Sequence, residues 1–168
     1  VLNRLLPLRA GHQGDFHLHS AKFFLDGVLE NRTGAMIAPY ADAIGGNAPL
    51  MFTPDQIASL FTALDAHRFQ IHTHCIGDAA VRAALDGFAT ARRANGAWPS
   101  LHQIAHCQMV HPDDLTRFAA LGAMANLQPF WASTDPIIPD ATMRMIGPAR
   151  APLTYPCRSL IDAGAPFC

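Results

Sequence analysis

At 168 residues the chain suits a single domain and can bury a core without disulfide or metal staples. Half of its residues are hydrophobic and 15% are charged, which excludes a disordered segment, a coiled coil or an acidic tail. Twelve basic residues against thirteen acidic ones leave a formal charge of −1 with no basic stripe, so neither nucleic acid nor an anionic membrane is an expected partner. No apolar run approaches a membrane span, and a soluble protein is expected. The four cysteines, Cys75, Cys107, Cys157 and Cys168, lack CxxC spacing and read as reduced thiols, which favours the cytoplasm. Histidine is the outlier: nine in a chain with a single lysine.

A weak helical pattern near the N-terminus is punctuated by Pro7, Gly11 and Gly14. His19 to Gly27 reads as a strand running into a turn. Residues 28–52 are rich in Gly, Ala and Pro and have no periodicity, the mark of a functional or mobile loop. Thr53, Pro54 and Gln56 supply an N-cap, a first-turn proline and a capping box. Ile57, Leu60, Phe61 and Leu64 then follow at helical spacing. Phe69–Cys75 reads as a strand, and Asp78 opens a helix carrying Val81, Ala84, Leu85 and Phe88 on one side. A strand at Leu101–Val110 and a helix from Pro112 to Gly122 follow, then a strand at Ala123–Gln128. A Pro-rich loop through Pro129, Pro136, Pro139 and Pro148 leads to a helix around Tyr155–Ala163 and a final strand start.

Alternating strands and helices predict an α/β fold with a parallel sheet. A (β/α)8 barrel spends about 31 residues per unit, so about five parallel strands with helical crossovers fit this length. A complete five-stranded doubly wound sheet fits it equally well. The chain opens on Val and closes on Ala165-Pro166-Phe167-Cys168 with no polar tail, and is expected to be a piece of something larger. No signal peptide is visible.

Side chains alternate along a strand, so His72 and His74 share a face, as do His102, Ile104 and His106, and Lys22, Phe24 and Asp26. Three successive strands thus carry Lys22, His74 and His106 toward the C-terminal edge of the sheet, where ligands bind in parallel α/β folds. Neutral imidazoles from adjacent strands suit a metal site, although a histidine in a strand also serves as a hydrogen-bonded core residue. Lys22 sits in an apolar run and needs a partner, a lowered pKa or a covalent modification; Asp26 is one candidate partner. His17-Leu18-His19 has the HxH form of a metal motif, but no apolar run precedes it, and a polar start to the strand is the expectation. His12, His67 and His111 read as surface or helix-end residues.

Four segments in order carry a resemblance: KFFLDGVLENRTGAMIAPY, HTHCIGDAAVRAALDGF, HQIAHCQMVHPDDLTRFAALGAMANLQPFWASTD and LIDAGAPFC. Together they resemble the YtcJ-like branch of the amidohydrolase superfamily (amidohydrolase family 3, which includes N-substituted formamide deformylases). The resemblance implies that residues 1–168 form one partial metal-dependent hydrolase barrel domain, truncated at both ends and covering roughly strands four to eight. It implies that His74 and His106 are metal ligands on strands five and six, with Lys22 a bridging ligand, carried as its carbamate. Tyr40, Gln128 and Trp131 would line the substrate pocket. On the residues alone, Asp78 reads as a helix cap or a partner behind the metal ligands, and Asp26 as a similar supporting group. The usual Glu and Arg of the strand-six motif are Ala105 and Leu101 here. The family's first-strand HxH pair and its eighth-strand Asp, the general base, would lie outside the chain, the latter beyond Cys168.

The activity implied is hydrolysis of a carbon–nitrogen bond other than a peptide bond, in an amide or formamide substrate. The cofactor would be one or two divalent ions, with zinc expected. The isolated chain is expected to be inactive, and a homo-oligomer or other contacts to cover its open sheet edges. The alternative is a non-catalytic doubly wound module that binds a small ligand, with core roles for the histidines; no GxGxxG or P-loop supports it.

Overall fold

The computed structural model describes residues 1–11, 14–15, 17–132 and 137–168, without the side chains of 137–141. His12 and the segment Ser133–Pro136 lie outside the described residues. The strands are β1 (Ser20–Phe24), β2 (Gln70–Cys75), β3 (Gln103–His106) and β4 (Met124–Asn126). All are parallel and their spatial order is the chain order, β1-β2-β3-β4. A further parallel bridge between Ala125 and Phe167 begins the next position in the same direction. A doubly wound sheet reverses its strand order at a switch point; this sheet never does, so that alternative is excluded. The architecture is a sector of a (β/α)8-type barrel.

The helices are α1 (Leu2–Ala10), α2 (Pro54–Ala66), α3 (Asp78–Asn95), α4 (Leu115–Leu121), α5 (Ile137–Ile146) and α6 (Cys157–Asp162). Thr53 caps α2 with the full reciprocal capping box expected from Gln56. Ile57, Phe61 and Leu64 of α2, Val81, Leu85 and Phe88 of α3, Phe118 of α4 and Leu160 of α6 form one buried core with Ile71, Cys75, Ile104 and Ala125 of the sheet. Those strand residues define the outer, helix-covered face. The inner face, by register, carries Lys22, His72, Gln103 and Met124 in one row and Phe24, His74, Ala105 and Asn126 in the next. One face is therefore apolar and packed and the other largely polar.

Three elements differ from the sequence expectation. The strands expected at 101–110 and 123–128 are shorter, because backbone breaks intervene at both ends of the first: Leu101, His106 and Cys107 all have positive φ. The Pro-rich stretch contains α5, since Pro139 falls in the first turn, where a missing N–H costs no helical bond. The loop 28–52 contains no helix or strand, as its composition predicts. Its folding instead relies on side chains, with Arg32 binding the Asp42 carboxylate and Arg150 donating to the carbonyls of Ala38 and Pro39 at 2.8 and 2.7 Å.

Candidate metal centre

The C-terminal ends of β1 and β2 converge on a buried carboxylate. Asp26, fully buried just beyond β1, accepts backbone N–H groups from Ile76 (2.9 Å), Gly77 (2.7 Å) and Ala35 (3.0 Å). Burial pushes its pKa up to about 6, against the lowering effect of those three donors and of His74. Asp26 thus ties the end of β1 to the β2–α3 turn and to the long loop; it is not a partner for Lys22. Asp78 continues the same tie, its Oδ1 accepting the N–H of Ile37 at 2.7 Å. The helix N-cap is Gly77, and Asp78 makes no capping bond.

His74 lies against this knot. Its Nε2 is 2.9 Å from the carbonyl of Gly27 and 3.8 Å from Asp26 Oδ1, and its ring stacks on Phe24 with centroids 4.7 Å apart. A carbonyl can only accept, so Nε2 carries the proton and Nδ1 keeps its lone pair.

His106 reaches the same place by a route that alternation does not predict. In register it pairs with Cys75 and would point outward with Ile104. Instead φ is +79° at His106 and +45° at Cys107, a left-handed twist that costs energy for non-glycine residues and turns the ring inward. The His74 and His106 rings meet edge to face, with centroids 4.5 Å apart. Nδ1 of His106 lies 2.8 Å from Gln128 Oε1. Burial, then the neighbouring His74, hold His106 below the usual histidine pKa, so the neutral imidazole is favoured.

His102, expected on the same face as His106, is on the opposite side of the sheet. Its Nε2 is 2.9 Å from Asp65 Oδ1, its Nδ1 accepts the N–H of Ile71 at 3.0 Å, and its ring stacks on Phe88. Asp65 also takes bonds from Trp98 Nε1 (2.6 Å) and Asn95 Nδ2 (2.8 Å). This is the core-histidine role.

Lys22 is exposed, with Nζ 5.4 Å from the Phe24 ring centroid. The apolar run around it marks neighbours that alternate onto the packed face, while Lys22 itself points to the open inner face beside His72. His72, half-buried, has an Nε2 with no hydrogen-bond partner, and burial followed by Lys22 lowers its pKa. His17 and His19 are exposed and precede β1 without strand structure. His67 and His111 cap the ends of α2 and the turn before α4.

A cavity of about 350 Å³ opens beside the two imidazoles, lined by His74, His106, Gln128 and Trp131 together with Val28, Glu30, Ile76, Gln108 and Tyr155. Gln108 is almost fully buried, and its Nε2 has no hydrogen-bond partner. Tyr40 does not line it: the hydroxyl donates to the carbonyl of Gly34 and the ring packs with Leu29, Met36 and Ile146. Among the described residues no group of three His, Cys, Asp or Glu is arranged to hold a metal ion. His74 and His106 therefore make two donors of an incomplete set. Sequence reasoning missed Gln108 and the Asp65 knot, and no motif or periodicity marks Gln108.

A consecutive parallel sheet, helix-covered outside and bearing imidazoles at its inner C-terminal edge, defines a barrel sector of the ligand-binding kind. The chain belongs to the amidohydrolase family, whose model matches residues 3–168. It is 36% identical over 124 residues to the exoenzymes regulatory protein AepA of Pectobacterium carotovorum subsp. carotovorum, covering 72% of this chain and 26% of that protein. It is 27% identical over 150 residues to the protein LONG AFTER FAR-RED 3 of Arabidopsis thaliana, covering 89% of this chain and 25% of that one. Crystal structures of uncharacterized metal-dependent hydrolases from Pyrococcus furiosus and Pyrococcus horikoshii OT3 match 99% of this chain and 33% of theirs. Their TM-scores are 0.80 and 0.79, at 26% and 25% identity. The chain thus spans about a quarter of the curated relatives and a third of the solved structures. No helix among the described residues is long and apolar enough to cross a membrane.

Proposed function

We propose that this chain supplies half of the metal centre of a hydrolase that cleaves carbon–nitrogen bonds other than peptide bonds, in amide or formamide substrates. The observation that carries this reading is the His74–His106 pair: each imidazole ties one ring nitrogen to an internal oxygen, which leaves the other as a free lone pair. That is how metal-binding histidines are oriented in proteins. The chemistry of the donors fits a divalent cation, with zinc the natural match for imidazole nitrogen.

His74 Nδ1 and His106 Nε2 would hold the ion, with Lys22, as its carbamate, completing this chain's share. The amine nitrogen of neutral Lys22 would attack carbon dioxide and lose one proton, giving an anionic oxygen donor. A bound cation supplies Lewis-acid chemistry, activating water and polarising a carbonyl. The chain's other residues shape access. Val28, Ile76 and Trp131 offer apolar walls to the substrate, and Gln108 Nε2 offers a donor to an acceptor oxygen. The carbon–nitrogen class rests on the motif resemblance and family membership.

Metal analysis after dialysis against zinc tests the reading, with wild type beside the His74→Ala/His106→Ala double variant. Retention of zinc by wild type and its loss from the variant is expected. Equal zinc content in the two would overturn the assignment. The chain alone is proposed to be inactive toward N-substituted formamides and amides, because two histidines and one lysine leave the donor set incomplete; full turnover would refute that part.

A further inference from the structure

His106 sits at one end of a chain of three side-chain amides, from Gln103 of β3 through Asn126 of β4 to Gln128 just beyond it, and the direction of that chain bears on the imidazole. Asn126 Nδ2 donates to Gln103 Oε1 at 3.1 Å. With its NH₂ group turned to Gln103, Asn126 presents Oδ1 to Gln128. Gln128 Nε2 donates to that Oδ1 at 2.8 Å and to the Asn126 carbonyl at 3.2 Å. Gln128 must then show Oε1, which has no proton, to His106 Nδ1 at 2.8 Å. Flipping the Gln128 amide would set Oε1 against two oxygens of Asn126 and an NH₂ against the ring. Two acceptors fix the amide, and the amide fixes the ring.

We propose that Asn126 and Gln128 form an amide relay that locks His106 in the Nδ1–H tautomer and so leaves Nε2 as its free donor. An acceptor-only oxygen at Nδ1 demands a proton there. Unconstrained neutral histidine favours the opposite tautomer, with the proton on Nε2, so the lock changes what the ring would otherwise do. Gln128 and Asn126 are positioning residues under this scheme, and the Gln128 amide is occupied by His106 and Asn126 rather than held open for substrate. The usefulness of a free Nε2 rests on the proposed metal role of His106, but the tautomer itself does not.

Long-range proton–nitrogen correlation spectra of the metal-free chain at pH 7.5, with labelled imidazoles, test it. In wild type His106 is expected to show a protonated Nδ1 and an unprotonated Nε2. Gln128→Met removes the acceptor and should move the majority of the population to the Nε2–H form. Gln128→Glu keeps an acceptor at Nδ1 and, once the Asn126 amide turns its Nδ2 to the second carboxylate oxygen, should retain Nδ1–H, a contrast with Gln128→Met that a merely space-filling role would not produce. Asn126→Leu removes one of the two acceptors and leaves only the backbone carbonyl of residue 126 to hold the Gln128 amide, so a minor Nε2–H population should appear beside a major Nδ1–H form. An Nε2–H form in wild type would overturn the relay, as would an unchanged Nδ1–H form in a Gln128→Met protein that keeps the wild-type amide spectrum. Should Gln128→Met fail to fold, wild type, Gln128→Glu and Asn126→Leu still decide. Zinc titration separates this from the hydrolase reading: affinity should fall about 10–100-fold in Gln128→Met and hold in Gln128→Glu. If the tautomers follow the scheme while wild type takes up no zinc, the relay stands and the metal reading fails.

Discussion

Replacing Gly77 by alanine sets two effects of opposite sign against each other. Gly77 has φ −80° and ψ 154°, which alanine adopts without strain, so restriction of the unfolded chain alone would stabilise by about 0.4–1 kcal/mol. Space says otherwise. A Cβ at Gly77 would lie 2.5 Å from the carbonyl carbon of Ala35 and 2.9 Å from its nitrogen, closer still to its oxygen. Ordinary carbon–carbon contact needs about 3.5 Å, so loop and turn must part by about 1 Å. The bonds in the way are those of the Asp26 knot: Gly77 N–H and Ala35 N–H to the carboxylate, at 2.7 and 3.0 Å, and Ala79 N–H to the Ala35 carbonyl at 3.1 Å. Losing about 1.5 kcal/mol at each carboxylate bond and about 1 kcal/mol at the third outweighs the entropic gain. The net expectation is destabilisation by about 3 kcal/mol, read in urea unfolding as a lower midpoint at an unchanged slope. A Gly77→Ala protein as stable as wild type, or more so, would refute the packing argument.

Other perturbations probe the remaining contacts. Arg150 donates to Ala38, Pro39 and Ile146, so Arg150→Met should speed proteolytic cleavage within residues 37–47 and cost about 1–2 kcal/mol; an unchanged cleavage pattern in limited proteolysis would contradict it. Burial, partly opposed by Asp65, lowers the pKa of His102 below its ordinary value of 6.5. The unfolded chain therefore takes up a proton first as pH falls, and stability is lost from about pH 6.5 downward toward the lowered folded value. His102→Gln should shrink the drop in melting temperature between pH 7.5 and 5.5, and an identical drop in both proteins would count against this account. Trp98→Phe removes the 2.6 Å bond to Asp65 and should cost about 1–2 kcal/mol in the same urea assay, with no effect on zinc uptake.

Period and capping signals in the sequence carry α2, α3, β2 and the parallel strand order, because those elements are long and their apolar residues face one way. The candidate site is legible in part. His74 follows from alternation, but His106 reaches it only through two left-handed backbone angles that no period-2 pattern encodes. Lys22 looks buried among apolar letters, yet its neighbours Ala21 and Phe23 alternate onto the packed face and leave it exposed. Gln103 and Asn126 of the amide relay lie on strands of four and three residues, too short for a pattern, and Gln128 lies just beyond the second. Asp65 did leave a signal. An acidic residue in the last turn of a helix opposes the helix dipole, and such a placement calls for compensating donors, here Trp98, His102 and Asn95.

In the proposed centre His74 and His106 share a divalent ion through Nδ1 and Nε2 respectively. Following the ring nitrogens of all nine histidines while zinc is added to the chain tests it directly. His74 Nδ1 and His106 Nε2 should shift together and saturate at the same zinc concentration, while His102 and the exposed His17 and His19 stay still. Zinc-dependent shifts confined to His17 and His19, or none at His74 and His106, would contradict it.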